Sequence, residues 1–191
     1  MQVILASTSP YRRALLERLG LVFLSDAPQV DETPHSGETP QILVPRLSRA
    51  KAKAVAARHP DSLVIGSDQM TALDGVSLGK PGNHERAVAQ LTALSGHTVI
   101  FLTGLCVLDT RTQQTQEYLD KTSVRFRSLS AAEIERYVRT EQPYNCAGSF
   151  KSEGLGISLF ESIESQDPTA LIGLPLIALS RFLRDAGVAL P

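Results

Sequence analysis

Only two cysteines, Cys106 and Cys146, occur in this chain of 191 residues, and their separation matches no metal-binding spacing. Free thiols in a reducing compartment are the plain expectation. The four histidines, His35, His59, His84 and His97, are scattered without ligand spacing, which disfavours zinc. Charge of neither sign predominates, with 19 Lys and Arg against 20 Asp and Glu and a net charge of -1. A global basic field for a nucleic-acid polymer is thereby excluded, so any anion site must be a local cluster. No apolar run approaches bilayer length, and the N-terminus has no basic segment followed by a long apolar stretch. A cytoplasmic protein without signal peptide or membrane association is expected. The Walker pattern and the dinucleotide fingerprint are both missing. So are internal repeats, low-complexity tracts and flexible linkers.

What remains is an ordinary globular composition, 42% hydrophobic and 20% charged. The length allows a sizeable core, in one domain over residues 1–191 or in two lobes between which the chain crosses more than once. Strands and helices alternate, which predicts an α/β protein. Residues 3–6 read as a first strand and 10–19 as a helix stopped by Gly20, with a short strand at 21–25. Residues 28–40 hold three prolines and form a loop long enough for function. A helix is expected over 42–58, with Pro45 in its first turn or bending it. A buried strand at 63–66 should end in Ser67-Asp68-Gln69, with a short extended pair around Asp74-Gly75. Asn83 caps a helix to about Leu94, and 98–108 and 115–126 form a hairpin. Ser130 and Glu133 make a capping box for a helix to about Thr140. The glycine-rich segment 147–156 precedes a strand near 157–163, and 175–185 is the last helix.

The first turn carries a contradiction. Ser9 and Pro10 are an ordinary N-cap and first helical residue, yet Tyr11, Arg12 and Arg13 follow where acids are favoured. A strand, a polar turn and a helix N-terminus can bind an anion, with Ser7 and Ser9 as donors and Arg12 as a planar fork. A capped surface helix with its arginines in solvent is the plainer alternative. Asp31 and Glu32, adjacent in the long loop, can hold Mg²⁺ while phosphates supply further ligands, or Asp31 can simply close a turn. Asp68 follows an apolar strand, where α/β proteins place ligand-facing groups, and can bind metal, accept a proton or cap a turn. Lys51 and Lys53 fall on different faces of one helix, so only one can point into a shared site. Lys80, in Gly-Lys-Pro, offers a point charge for phosphate. Together these cations and acids are what phosphoryl chemistry needs.

The motifs LASTSPYR, VDET, GSDQ, GKP and CAGSFKSEG, in this order, resemble the Maf family of nucleoside triphosphate pyrophosphatases over nearly the whole chain. The resemblance implies an elongated, ITPase-like α/β fold, with a mixed sheet flanked by helices and two lobes with a cleft. It also implies hydrolysis of a nucleoside triphosphate to monophosphate and pyrophosphate with a divalent metal, usually Mg²⁺. Family members are cytoplasmic and commonly homodimeric. Carried over residue by residue, Ser7 and Arg12 face phosphate, Glu32 ligates metal, Lys51 and Lys80 assist, and Asp68 is proton acceptor and metal ligand. Tyr11, Gln69 and Glu153 stand where the branch acting on dTTP and UTP has other residues, and this trio is similar to the 7-methyl-GTP branch. That branch often has tryptophan at the position of Tyr11, and this chain has none. A pyrophosphatase for dTTP, UTP or another modified nucleotide, a non-hydrolysing nucleotide-binding regulatory protein and a plain interaction domain are the alternatives.

Overall fold

Alternation within the N-terminal apolar run decides how the first strand is buried. The computed structural model describes residues 1–73 and 76–191. Strand β1 (Gln2–Ala6) sends Val3 and Leu5 to one face of the sheet and Ile4 and Ala6 to the other. Helix α1 (Pro10–Glu17) and strand β2 (Phe23–Asp26) follow, then α2 (Pro40–Ala56), β3 (Ser62–Leu73) and β4 (Val76–Leu78). The rest comprises α3 (His84–Leu94), β5 (Thr98–Asp109), β6 (Thr115–Phe126), α4 (Ala131–Glu141), β7 (Phe160–Glu164) and α5 (Leu176–Asp185). Short 3-10 turns lie at Ala147–Ser149, Leu155–Leu159 and Ala170–Ile172.

The sheet has the order β2-β1-β3-β5-β6-β7, with β4 paired to β3. Strand β1 is parallel to β2 and β3, whereas β3–β4 and β6–β7 are antiparallel. This is the mixed α/β arrangement expected. Two compact units divide the chain: Met1–Asp68, Thr103–Asp120 and Asp167–Pro191 in the first, Gln69–Leu102 and Lys121–Gln166 in the second. In the first unit, Val3, Leu5, Leu63, Ile65, Leu105 and Val107 pack under leucines of α1 and α5. The opposite face, with Ile4, Val64 and Cys106, is covered by Ala52 and Val55 of α2. Burial pushes the Cys106 thiol up to about 12, which leaves it a packing group. In the second unit Phe101, Phe126, Phe150 and Phe160 meet edge to face, with centroids 4.9–5.6 Å apart.

Several boundaries differ from expectation for local reasons. Helix α2 starts two residues early, at Pro40 with Thr39 as N-cap, so Pro45 lies in its interior. Strand β3 does not stop at Gly66 but continues through Ser67, Asp68 and Gln69 to Leu73. Its polar residues are tolerated because Ser67 and Asp68 find buried partners. The chain near 157 forms a 3-10 turn, delaying β7 to Phe160. The pair expected around Asp74-Gly75 lies outside the described residues. Among the described residues, no helix is long and apolar enough to cross a membrane.

Candidate active site

The β1–α1 connection is built by its serines. Ser7 Oγ accepts the Ser9 amide at 3.1 Å, and Ser9 Oγ caps α1 through the Arg12 amide at 3.4 Å. Both hydroxyls still have a proton to donate, but capping occupies the Arg12 amide itself. The Arg12 side chain is half-buried and turns inward, its Nε donating to the Gly173 carbonyl at 2.9 Å. Burial pushes its guanidinium below the ordinary value, opposed by the charges of Asp68 and then Glu32. The terminal guanidinium nitrogens have no hydrogen-bond partner among the described residues. Arg13 goes elsewhere. It pairs with Glu17 at 3.1 Å on the exposed side of α1 and lies 5.9 Å over the Phe23 ring.

Gly173 is a shared acceptor. Its carbonyl also takes the buried Ser67 hydroxyl at 2.9 Å, and its φ of +126° suits glycine alone. The turn carrying it is anchored by Asp167, which accepts the Thr169 amide at 3.0 Å and the Ile177 amide at 2.7 Å. Thr169 Oγ1 accepts the Leu176 amide at 2.8 Å, so two distant side chains serve the first turn of α5.

The long loop at 27–39 is tied to α2 by Arg46. Its guanidinium grips Glu38 with two bonds of 2.6 and 2.7 Å and donates to the Thr33 carbonyl at 3.1 Å. The Arg46 hydrogen bonds hold the Glu38 carboxyl far below its usual range, at about 2. Asp31 closes a turn, accepting the Thr33 amide at 2.9 Å. Its neighbour Glu32 instead reaches Lys51, with Oε1 2.7 Å from Nζ.

Lys51 projects from α2 and is only 6% exposed, while Lys53 is exposed. The Lys51 ammonium sits between two acids, 2.7 Å from Glu32 Oε1 and 2.6 Å from Asp68 Oδ1. Asp68 is itself 7% exposed. Its second oxygen has no partner among the described residues, yet it is not sealed from solvent. One unit therefore gathers Ser7, Arg12, Glu32, Lys51 and Asp68, with Ser67 and Gly173 between them. Among the described residues no three His, Cys, Asp or Glu side chains cluster as a dedicated metal cage. Glu32 and Asp68 offer carboxylate oxygens of the kind a hard divalent ion takes, two rather than a full set.

Tyr11, half-buried, occupies the second position of α1 in the same unit. Gln69, Lys80 and Glu153 belong to the second unit. Lys80 is exposed on the Gly-Lys-Pro turn, whose Gly79 carbonyl accepts Gln90 at 3.1 Å. Glu153 is exposed on a braced loop. Lys151 Nζ donates to the Glu141 carbonyl at 2.7 Å, and the Leu155 amide donates to Glu141 Oε1 at 3.1 Å. The residues expected from sequence did not include Arg46, Ser67, Asp167, Thr169 or Gly173 as parts of the site. Only the Asp-Pro-Thr and Ile-Gly-Leu-Pro segments signal the last three, as turn chemistry.

A family model described as "Maf-like protein" matches residues 2–186. The chain is 58% identical over 188 residues to the 7-methyl-GTP pyrophosphatase of Burkholderia lata, covering 97% of this chain and 90% of that protein. It is 57% identical over 190 residues to the 7-methyl-GTP pyrophosphatase of Xanthomonas oryzae pv. oryzae, covering 100% and 99%. Among solved structures, the Staphylococcus aureus Ham1 protein matches with a TM-score of 0.54 at 15% identity, covering 97% of this chain and 100% of that one. That likeness concerns the fold alone.

Proposed function

Because the chain belongs to the Maf-like protein family, we propose that it hydrolyses a nucleoside triphosphate, 7-methyl-GTP foremost, to the monophosphate and pyrophosphate. The observation that carries this reading is the buried Lys51 held between Glu32 and Asp68, beside an inward-turned Arg12. The relatives' names supply the substrate. Arg12 and Ser7 bind phosphate oxygens, since a guanidinium with its Nε already fixed presents its terminal nitrogens in one plane. Asp68, with one oxygen on Lys51, takes the proton of an attacking water through the other. The water oxygen bonds to the α-phosphorus, the bond to the bridging oxygen breaks, and pyrophosphate leaves. Lys51 keeps the two carboxylates from repelling the incoming polyphosphate, and Lys80 adds a second point charge.

Glu32 and Asp68 would hold a divalent cation, Mg²⁺ by preference, which would neutralise charge on the departing pyrophosphate. Base choice falls to Tyr11, Gln69 and Glu153. Methylation at N7 leaves guanine cationic, which favours stacking on an aromatic face and a nearby carboxylate. The guanine Watson–Crick edge offers two N–H donors for Glu153, whereas uracil presents an acceptor on either side of one N–H. The chain acts as one functional unit over its whole length, in the cytoplasm and as a homodimer. Turnover in heavy-oxygen water tests the chemistry: the label is expected in the monophosphate. Label in pyrophosphate, or release of orthophosphate, would overturn it.

A further inference from the structure

Ser48 lies on α2 one turn before Lys51 and is fully buried. Its hydroxyl donates to the Val44 carbonyl at 2.8 Å and accepts the Asp68 amide at 3.0 Å. Pairing of β3 with β1 ends at Ala6 and Gly66, so Asp68 has run past its neighbour on that side. Helix α2 therefore grips Asp68 at two points: Ser48 holds the amide, and Lys51 holds the carboxylate at 2.6 Å. Two glycines make this approach possible. A Cβ at Gly66 would strike the Ser48 carbonyl and lie 2.7 Å from the Ala52 nitrogen. A Cβ at Gly104 would strike the Ser48 hydroxyl and lie 2.9 Å from Val44 Cγ1. Neither glycine has a positive φ, so space rather than backbone freedom selects it.

We propose that Ser48 is a positioning residue for Asp68. It anchors the backbone from which the carboxylate is aimed, while Lys51 sets the carboxylate's rotation. This rests on the reading of Asp68 as the base. Misplacing a reacting group by on the order of 1 Å costs up to about a hundredfold in rate, and one lost anchor among two costs less, about tenfold. A serine that only packs the core would alter stability without regard to Asp68. A positioning serine alters kcat, leaves KM alone, and matters only while the Asp68 carboxylate is present.

The test compares wild type, Ser48→Ala, Asp68→Asn and the double variant in steady-state hydrolysis of 7-methyl-GTP, with Tm measured alongside. Ser48→Ala is expected to lower kcat about tenfold with KM nearly unchanged. The double variant is expected to be no slower than Asp68→Asn. Ser48→Cys, which keeps a weaker acceptor, is expected to recover part of the rate and carries the comparison if the alanine variant does not fold. Full kcat in folded Ser48→Ala, or the same further loss in the Asp68→Asn background, overturns the inference while leaving the reaction assigned. No pyrophosphate release by the wild type overturns the reaction and the inference together.

Discussion

Replacing Lys51 with methionine removes a buried charge while nearly preserving its volume. What remains is Asp68, whose side chain is 10% exposed, without the cation 2.6 Å away. Breaking a buried pair from one side costs about 3–5 kcal/mol, because the orphaned charge keeps its desolvation penalty. The Glu32 contact adds little, since that carboxylate is 58% exposed and such pairs contribute about 0–1 kcal/mol. At roughly 2–4 °C per kcal/mol for a chain of this size, Tm falls by roughly 6–20 °C. Adding Asp68→Asn removes the orphaned charge, so Lys51→Met/Asp68→Asn is expected to regain most of the loss, a coupling of about 2–3 kcal/mol. Urea titration at neutral pH, with the slope of the transition monitored, measures both variants. Lys51→Met within about 1 kcal/mol of wild type, or strictly additive losses, would refute the ion pair as the support of the site.

Asp68→Asn is expected to lower kcat by about 10²–10⁴ while far-ultraviolet circular dichroism stays native, and near-normal turnover would remove Asp68 as the base. Glu38 has an acid-range signature. Its carboxyl is depressed from 4.5 to about 2 by Arg46, so its stabilising contribution is full above 4.5 and fades as pH falls toward about 2. The stability advantage of wild type over Glu38→Gln should follow that course in urea titrations, and an advantage that grows on acidification would contradict it. Glu153→Gln is expected to narrow the kcat/KM ratio between methylated guanine and uracil triphosphates by about tenfold or more, whereas an unchanged ratio would free Glu153 from base choice.

What could be read from the sequence was local. The Ser9–Pro10 start of α1, the Asn83 cap of α3 and the Ser130–Glu133 box of α4 stand where their side-chain chemistry put them. The hairpin strands β5 and β6 were likewise visible as two long strand-like runs around a polar turn, β5 almost continuously buried and β6 partly alternating. The extension of β3 through Asp68 was not, because its polar residues are satisfied by groups remote in sequence: Asp68 by Lys51 and Ser48, 17 and 20 residues away, and Ser67 by Gly173, 106 residues away. Arg12 shows the same limit. Its position in the first turn looked anomalous, and only Gly173, 161 residues further on, explains how it is held. Arg13, indistinguishable from it in composition, is an outer-face partner of Glu17. Arg46 resembled any helix arginine until its clamp on Glu38 was seen.

A nucleotide panel decides the substrate. With Mg²⁺ present, kcat/KM is measured by pyrophosphate release for 7-methyl-GTP, GTP, dTTP and UTP. The highest value is expected for 7-methyl-GTP, with 7-methyl-GMP as co-product. Faster turnover of dTTP or UTP would contradict it.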